Sequence, residues 1–252
     1  MAQGCRSPIT RLILTALVSC SSSRLLLRKH YKGAIIFLRP LGGLQRVYQH
    51  LNEADDGKFF ETMEKAGVEV ILPRAPFRVK LPSGVDAQAW WPLPGLPRLK
   101  MDKPEDTASA KESFDQVLAP ILQRLETSYG LDKVIVGGFS MGAEFALQML
   151  NFAPQIGGIF CMGGFLPDDS AVWKALKSGD KRPPVWMGHG TNDSMVPYDY
   201  GVATYQRLLS EGISAEFHTV QDLDHHMVNE EIGAIVSWSL HRLGLDDGET
   251  GD

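Results

Sequence analysis

The 252-residue chain predicts an α/β fold: a doubly wound, mostly parallel sheet with helices on both faces. Three observations carry that prediction. Short β-rich runs alternate with stretches of helical periodicity, the signature of repeated strand–helix–strand units. Several of the strand runs are continuously apolar, as expected where both faces of a strand are covered. The length and an apolar fraction of 44% suit one soluble domain with a sizeable core.

The elements follow in order. The head of the chain, residues 1–30, is rich in Arg and Ser and free of acid, the composition of a mitochondrial transit segment. Its apolar stretch LILTALVSC is too short to span a bilayer, although it would serve as the core of a signal peptide. A third reading of the same residues is a leading strand behind a loosely ordered terminus. A cytoplasmic protein is therefore expected, with a mitochondrial one as the alternative.

Residues 31–245 form the expected domain, and 246–252 a disordered tail. Strands are predicted at GAIIFL (33–38), VEVIL (68–72), KVIVGG (133–138), IGGIFCMGG (156–164), PVWMGH (184–189) and AEFHTV (215–220). Between the second and third, SAKESFDQVLAPILQRLETSYG puts Phe114, Val117, Leu118, Ile121, Leu122 and Leu125 at helical spacing, with Gly130 as the stop. Residues 199–211 and 227–243 read as helices on the same grounds. The Pro-rich WWPLPGLPRL (90–99) interrupts this domain without dividing it.

Charge and cysteine usage narrow the partners. Residues 1–52 hold eight Lys or Arg and no acid, so the rest carries 17 basic against 30 acidic residues. A nucleic-acid partner is not expected of so acidic a body. Cys5, Cys20 and Cys161 lie far apart without CxxC spacing, which points to neither a disulfide framework nor zinc.

In such a sheet, ligands gather beyond the carboxyl ends of the strands. There the chain reads Gly138-Phe139-Ser140-Met141-Gly142, directly after a strand and ahead of an amphipathic run. A sharp strand-to-helix turn holds a serine hydroxyl up at the sheet edge, and flanking glycines let neighbouring backbone close around it. Such a hydroxyl needs a base, and the base an acid to orient it; in this architecture they follow in the order acid, then histidine.

HGTNDSMVP supplies Asp193 just after a buried strand, and DLDHH supplies His225 and His226 after the last one. Spacing alone does not choose between the two histidines. His189 precedes the acid and is expected to order its loop. The cluster of His218, Asp222, Asp224, His225 and His226 has no recognised metal-ligand spacing, so no metal is expected.

The stretches GGFSMGA, HGTNDSMVP and FHTVQDLDHH, with LPRAPFR and AWW as supporting echoes, resemble the acyl-protein thioesterase and lysophospholipase-like carboxylesterase family of α/β-hydrolases. The resemblance runs from about residue 33 to residue 243 and leans toward the lysophospholipase-like subgroup. It implies a catalytic triad of Ser140, Asp193 and His225, with His225 in the family's register. It implies cleavage of acyl thioesters on palmitoylated proteins, or of small carboxylic esters, without a cofactor. The backbone N–H groups of Leu41 and Met141 are the implied oxyanion donors. Where the family has His-Gly after its first strand, this chain has Arg39-Pro40, and Met141 stands where many acyl-protein thioesterases carry Gln.

Pro40 restricts the loop and the residue before it, so a catalytically silent fold that binds an acylated ligand or a protein is the second reading. For substrate, Trp90, Trp91 and Leu93 either form a stiff apolar wall over the site or pack as a surface loop.

Overall fold

The computed structural model describes residues 30–42, 51, 58–81, 83–92, 107–176 and 181–246. All of the expected N-terminal segment except His30, and all of the expected tail except Asp246, lie outside them.

Eight strands are present among these residues: β1 (Gly33–Leu38), β2 (Val68–Ile71), β3 (Phe77–Lys80), β4 (Asp86–Ala89), β5 (Val134–Phe139), β6 (Gly158–Met162), β7 (Val185–Gly190) and β8 (Ala215–Val220). Six of them make one sheet in the order β2-β1-β5-β6-β7-β8. Every pairing in it is parallel. The six predicted strands are therefore these six, shifted by a residue or two at some ends.

Alternation along the central strands feeds two cores. Ala34, Ile36, Leu38, Val134 and Val136 face one side; Ile35, Phe37 and Ile135 face the other. Helix α1 (Phe59–Lys65) contributes Phe59 and Met63 to the second core. On the first side lie α2 (Thr107–Ser113), a π turn at Phe114–Leu118, and α3 (Ala119–Tyr129), so the predicted helix over this stretch carries an extra residue in one turn just ahead of Pro120. Behind β5 run α4 (Met141–Leu147) and α5 (Met149–Phe152); α6 (Ala171–Ala175), α7 (Tyr198–Ser210) and α8 (Asn229–Leu243) complete the succession.

Helix α1, helix α6 and the β3–β4 hairpin were not predicted. Helix α1 is only seven residues long. The antiparallel hairpin of β3 and β4 is short and charged, with Arg78 opposite Gln88 and Lys80 opposite Asp86. This hairpin matters, because it leads straight into Trp90 and braces the loop after β1.

The register aligns the chemistry. Leu38 at the end of β1 pairs with Gly138 of β5, so the loop after β1 starts beside the turn that carries Ser140. Gly190 at the end of β7 pairs with Val220 of β8, which brings the Asp193 and His225 loops out side by side. All four segments meet at one edge of the sheet.

Candidate active site

Ser140 links β5 to α4 with φ 56° and ψ −126°, a left-handed conformation that a non-glycine residue rarely holds. Two features sustain it. The Ser140 N–H donates to the Met162 carbonyl at the end of β6 (2.8 Å), and its carbonyl accepts from the Glu144 N–H (3.0 Å) in the first turn of α4. The glycines on either side have no room for a side chain: a Cβ on Gly138 would stand 2.2 Å from the Leu38 carbonyl oxygen. The hydroxyl is thereby fixed at the crest of the turn.

Asp193 is buried at 8% exposure in the loop after β7. Its Oδ1 accepts from the backbone N–H groups of Met195 (2.9 Å) and Val196 (2.7 Å), and its Oδ2 lies 2.7 Å from His225 Nδ1. Burial alone would raise this carboxyl's pKa. Hydrogen bonds from His189, His225 and the Val196 amide together outweigh burial and hold it well below the usual carboxylate range. The carboxylate is an acceptor only, so His225 Nδ1 carries the proton it donates. Nε2 of His225 is then free to accept from Ser140 Oγ, 2.8 Å away.

The geometry thus separates the two histidines that spacing left open. His225 joins Ser140 and Asp193; His226 does not, and its N–H bonds the Asp224 carbonyl (2.8 Å). The ring of Phe139 lies 4.7 Å from that of His225 and forms one wall, while Gly163, at φ 56°, forms the floor beneath Asp193 and His225.

The acidic and histidine residues near Ser140, Asp193 and His225 lace two loops together. Asp224 Oδ1 accepts from the N–H of His225 (2.7 Å) and from the N–H and hydroxyl of Ser194 (2.9 and 2.7 Å), tying the histidine loop to the acid loop. The Asp222 N–H donates to Thr191 Oγ1 (2.8 Å). His189, near the end of β7, contacts the acid loop, its Nε2 2.9 Å from the Val196 carbonyl and 3.4 Å from Asp193 Oδ2. His218 packs on Trp186. Among the described residues no group of three or more His, Cys, Asp or Glu is arranged to hold a metal ion.

Of the residues nominated for the oxyanion, Met141 opens α4 and Leu41 lies in the loop after β1. Among the described residues neither amide N–H is taken up by another group. The loop that holds Leu41 is braced from the hairpin side. Trp90 Nε1 donates to the Arg39 carbonyl (3.0 Å), the Gly42 N–H donates to the Gln88 carbonyl (3.1 Å), and the Arg39 guanidinium bonds Gln88 Oε1. Arg39-Pro40 is thus anchored from outside the nucleophile turn.

The aromatic pair differs from the substrate wall that the sequence suggested. Trp90 and Trp91 are 0% and 1% exposed, and Trp90 stacks on Phe145 of α4 at 4.8 Å between centroids. Their surface is consumed by the core behind α4, so they support the loop after β1 and present no face to a substrate. Leu93 lies outside the described residues.

One group near Asp193 had no signal in the sequence. Glu231, in the first turn of α8, is 2% exposed and lies against Gly188 of β7. Burial pushes its carboxyl up to about 7. Two adjacent acids in a helix's first turn ordinarily read as exposed dipole partners, and only the tertiary fold distinguishes Glu231 from Glu230.

A parallel sheet with a strained serine at its central strand–helix turn, an acid and a histidine on the following loops, defines an α/β-hydrolase. The comparisons agree. Residues 29–240 match the phospholipase/carboxylesterase family, and the chain belongs to that family. By class it is a carboxylic ester or thioester hydrolase. Mouse lysophospholipase-like protein 1 is 31% identical over 188 residues, covering 73% of this chain and 77% of that protein. Acyl-protein thioesterase 1 homolog 1 of Dictyostelium discoideum is 30% identical over 211 residues, covering 80% and 87%. The crystal structure of SOBER1 from Arabidopsis thaliana superposes with a TM-score of 0.70 at 28% identity, covering 84% of this chain and 99% of that one.

Proposed function

We propose that the chain cleaves acyl thioesters of the palmitoyl-protein type, or small carboxylic esters, through an acyl-enzyme on Ser140. The observation that carries this reading is the unbroken relay from Ser140 Oγ through His225 to Asp193, at 2.8 and 2.7 Å.

The steps follow from the relay. Ser140 Oγ attacks the acyl carbonyl while its proton passes to His225 Nε2. Asp193, held ionised, stabilises the imidazolium and keeps Nδ1 protonated. The carbonyl oxygen, now negative, is received by the N–H groups of Leu41 and Met141. Collapse of the tetrahedral intermediate breaks the bond to sulfur or oxygen, and His225 returns the proton to the departing thiol or alcohol. A water molecule, deprotonated by the same histidine, then attacks the ester on Ser140 and releases the carboxylic acid. No step calls for a cofactor.

Acylated proteins are the proposed substrates on the thioester side, by analogy with the relatives named for that activity. Among the described residues no helix is long and apolar enough to cross a membrane. The silent-fold alternative rested on Arg39-Pro40; the braced loop, and a Leu41 amide that no other described residue engages, weigh against it. The test is a series of acyl thioesters and matched esters of increasing chain length, assayed with the wild type and Ser140→Ala. Turnover of at least one series, abolished in the variant, is expected. A folded wild type that hydrolyses none of them contradicts the reading.

A further inference from the structure

Between the loop after β1 and the β3–β4 hairpin lies a cavity of about 300 Å³ lined by Arg39, Gly42, Arg74, Arg78, Asp86, Ala87 and Gln88. Three arginines converge on it against one acid. That is a local reversal of charge in a protein with 30 acidic and 25 basic residues. Arg74 and Arg78 are exposed, whereas Arg39 is 1% exposed.

Arg39 is held there at a cost. Burial lowers its pKa, and the neighbouring Arg74 charge lowers it further. A buried guanidinium ordinarily finds a carboxylate. Here its two Nη groups share the neutral Gln88 Oε1, and among the described residues its buried Nε–H has no partner. Among the described residues no acid forms an ion pair with Arg39, Arg74 or Arg78. Asp86, on the cavity's rim, is exposed.

Such a site holds an excess of positive charge. Planar guanidinium forks match the oxygens of a carboxylate or phosphate, and partial burial strengthens the contact. Its position gives the anion a role. Gly42 lines the cavity, and Leu41, whose amide is a proposed oxyanion donor, is the adjacent residue, about 3.8 Å away along the chain.

We propose that this cavity is a subsite for an anionic group, a carboxylate or phosphate, carried by the ester or thioester that Ser140 attacks. The proposal rests on the hydrolase reading above and deepens it. Arg39 adds its charge to Arg78 of the hairpin and to Arg74 of the segment ahead of it.

The test separates the subsite from the catalysis. Calorimetric titration of glutarate and of inorganic phosphate into the wild type and into Arg74→Gln/Arg78→Gln reads the cavity without any turnover. Both substituted residues are exposed, and circular dichroism checks that the double variant is folded. The kcat/KM ratio of mono-4-nitrophenyl glutarate to 4-nitrophenyl butyrate, and of 4-acetoxyphenyl phosphate to phenyl acetate, places the anion on the acyl or the leaving-group side.

The wild type is expected to bind at least one of the two anions, and the double variant to bind it about tenfold more weakly or worse. The matching anionic-to-neutral ratio should fall by a similar factor. Absence of binding to both anions overturns the proposal, as does a ratio that the double substitution leaves unmoved. Fluorophosphonate labelling of Ser140, measured on the same samples, reports on the hydrolase reading alone; labelling without anion binding rejects the subsite and leaves the hydrolase standing.

Discussion

Gly142 approaches the end of β1 so closely that a Cβ on it would stand 2.1 Å from the Leu38 carbonyl oxygen and 2.6 Å from that of Arg39. The second glycine of the GFSMG turn is therefore the surface on which the loop after β1 rests. The Ser140 turn and the proposed oxyanion donors are set by one backbone contact, which a methyl group would break.

Gly142→Ala is accordingly expected to do two things at once. Backbone must move to admit the methyl, which costs about 2 kcal/mol or more of stability. Displacement of the Leu41 amide should lower kcat by about 100-fold or more, since losing one aligned oxyanion donor has that order of effect. Urea unfolding and steady-state kinetics on one preparation check both. Unchanged kcat would mean that the loop does not depend on this contact.

The Trp90 indole supports the same loop from the other side. Trp90→Phe keeps most of the stacking on Phe145 and removes the Nε1 hydrogen bond to the Arg39 carbonyl. A stability loss of about 1 kcal/mol for the bond, with an added penalty for the smaller ring, is expected. A fall in kcat beyond what the residual folded fraction explains would mark the brace as functional.

Asp193 is predicted to act by orienting His225 and stabilising its charged form. Asp193→Asn keeps the shape of the side chain but offers an amide where the histidine needs an acceptor. A loss of about 10⁴-fold in kcat is expected, with the fold retained by circular dichroism. Retention of kcat within tenfold would remove Asp193 from the relay.

Glu231 provides a pH signature. Its carboxyl is pushed up to about 7 in the folded chain from an ordinary value of 4.5, chiefly by burial. Between those values the unfolded chain ionises while the folded chain stays protonated, so this residue subtracts stability as pH rises through the window and the loss is complete above it. Glu231→Gln, which cannot ionise, should gain on the wild type between pH 5 and pH 8, by up to about 3 kcal/mol. Denaturant unfolding at the two pH values measures the difference. A gap independent of pH would show that Glu231 is not held protonated.

The sheet was legible in the sequence because parallel strands covered on both faces leave long apolar runs; GAIIFL at Gly33–Leu38 needs no help from its neighbours to be read. Ser140 and Asp193 were legible through the local chemistry of their turns. His225 was not separable from His226 by spacing, since both follow the last strand and only the rotation of that loop turns one ring toward Ser140. The β3–β4 hairpin escaped because Arg78 and Lys80 alternate with half-buried residues on a short exposed ribbon. Trp90 and Trp91 could be read as substrate wall or packed surface loop with equal ease, and their burial in the core was not foreseen, because an apolar pair says nothing of which surface covers it.

The central claim is that Ser140 is activated by His225, and covalent labelling by a fluorophosphonate probe at neutral pH tests it most directly. The wild type and His226→Ala should label, and Ser140→Ala and His225→Ala should not. A folded wild type that fails to label, or a His225→Ala variant that labels as fast as the wild type, would contradict the account.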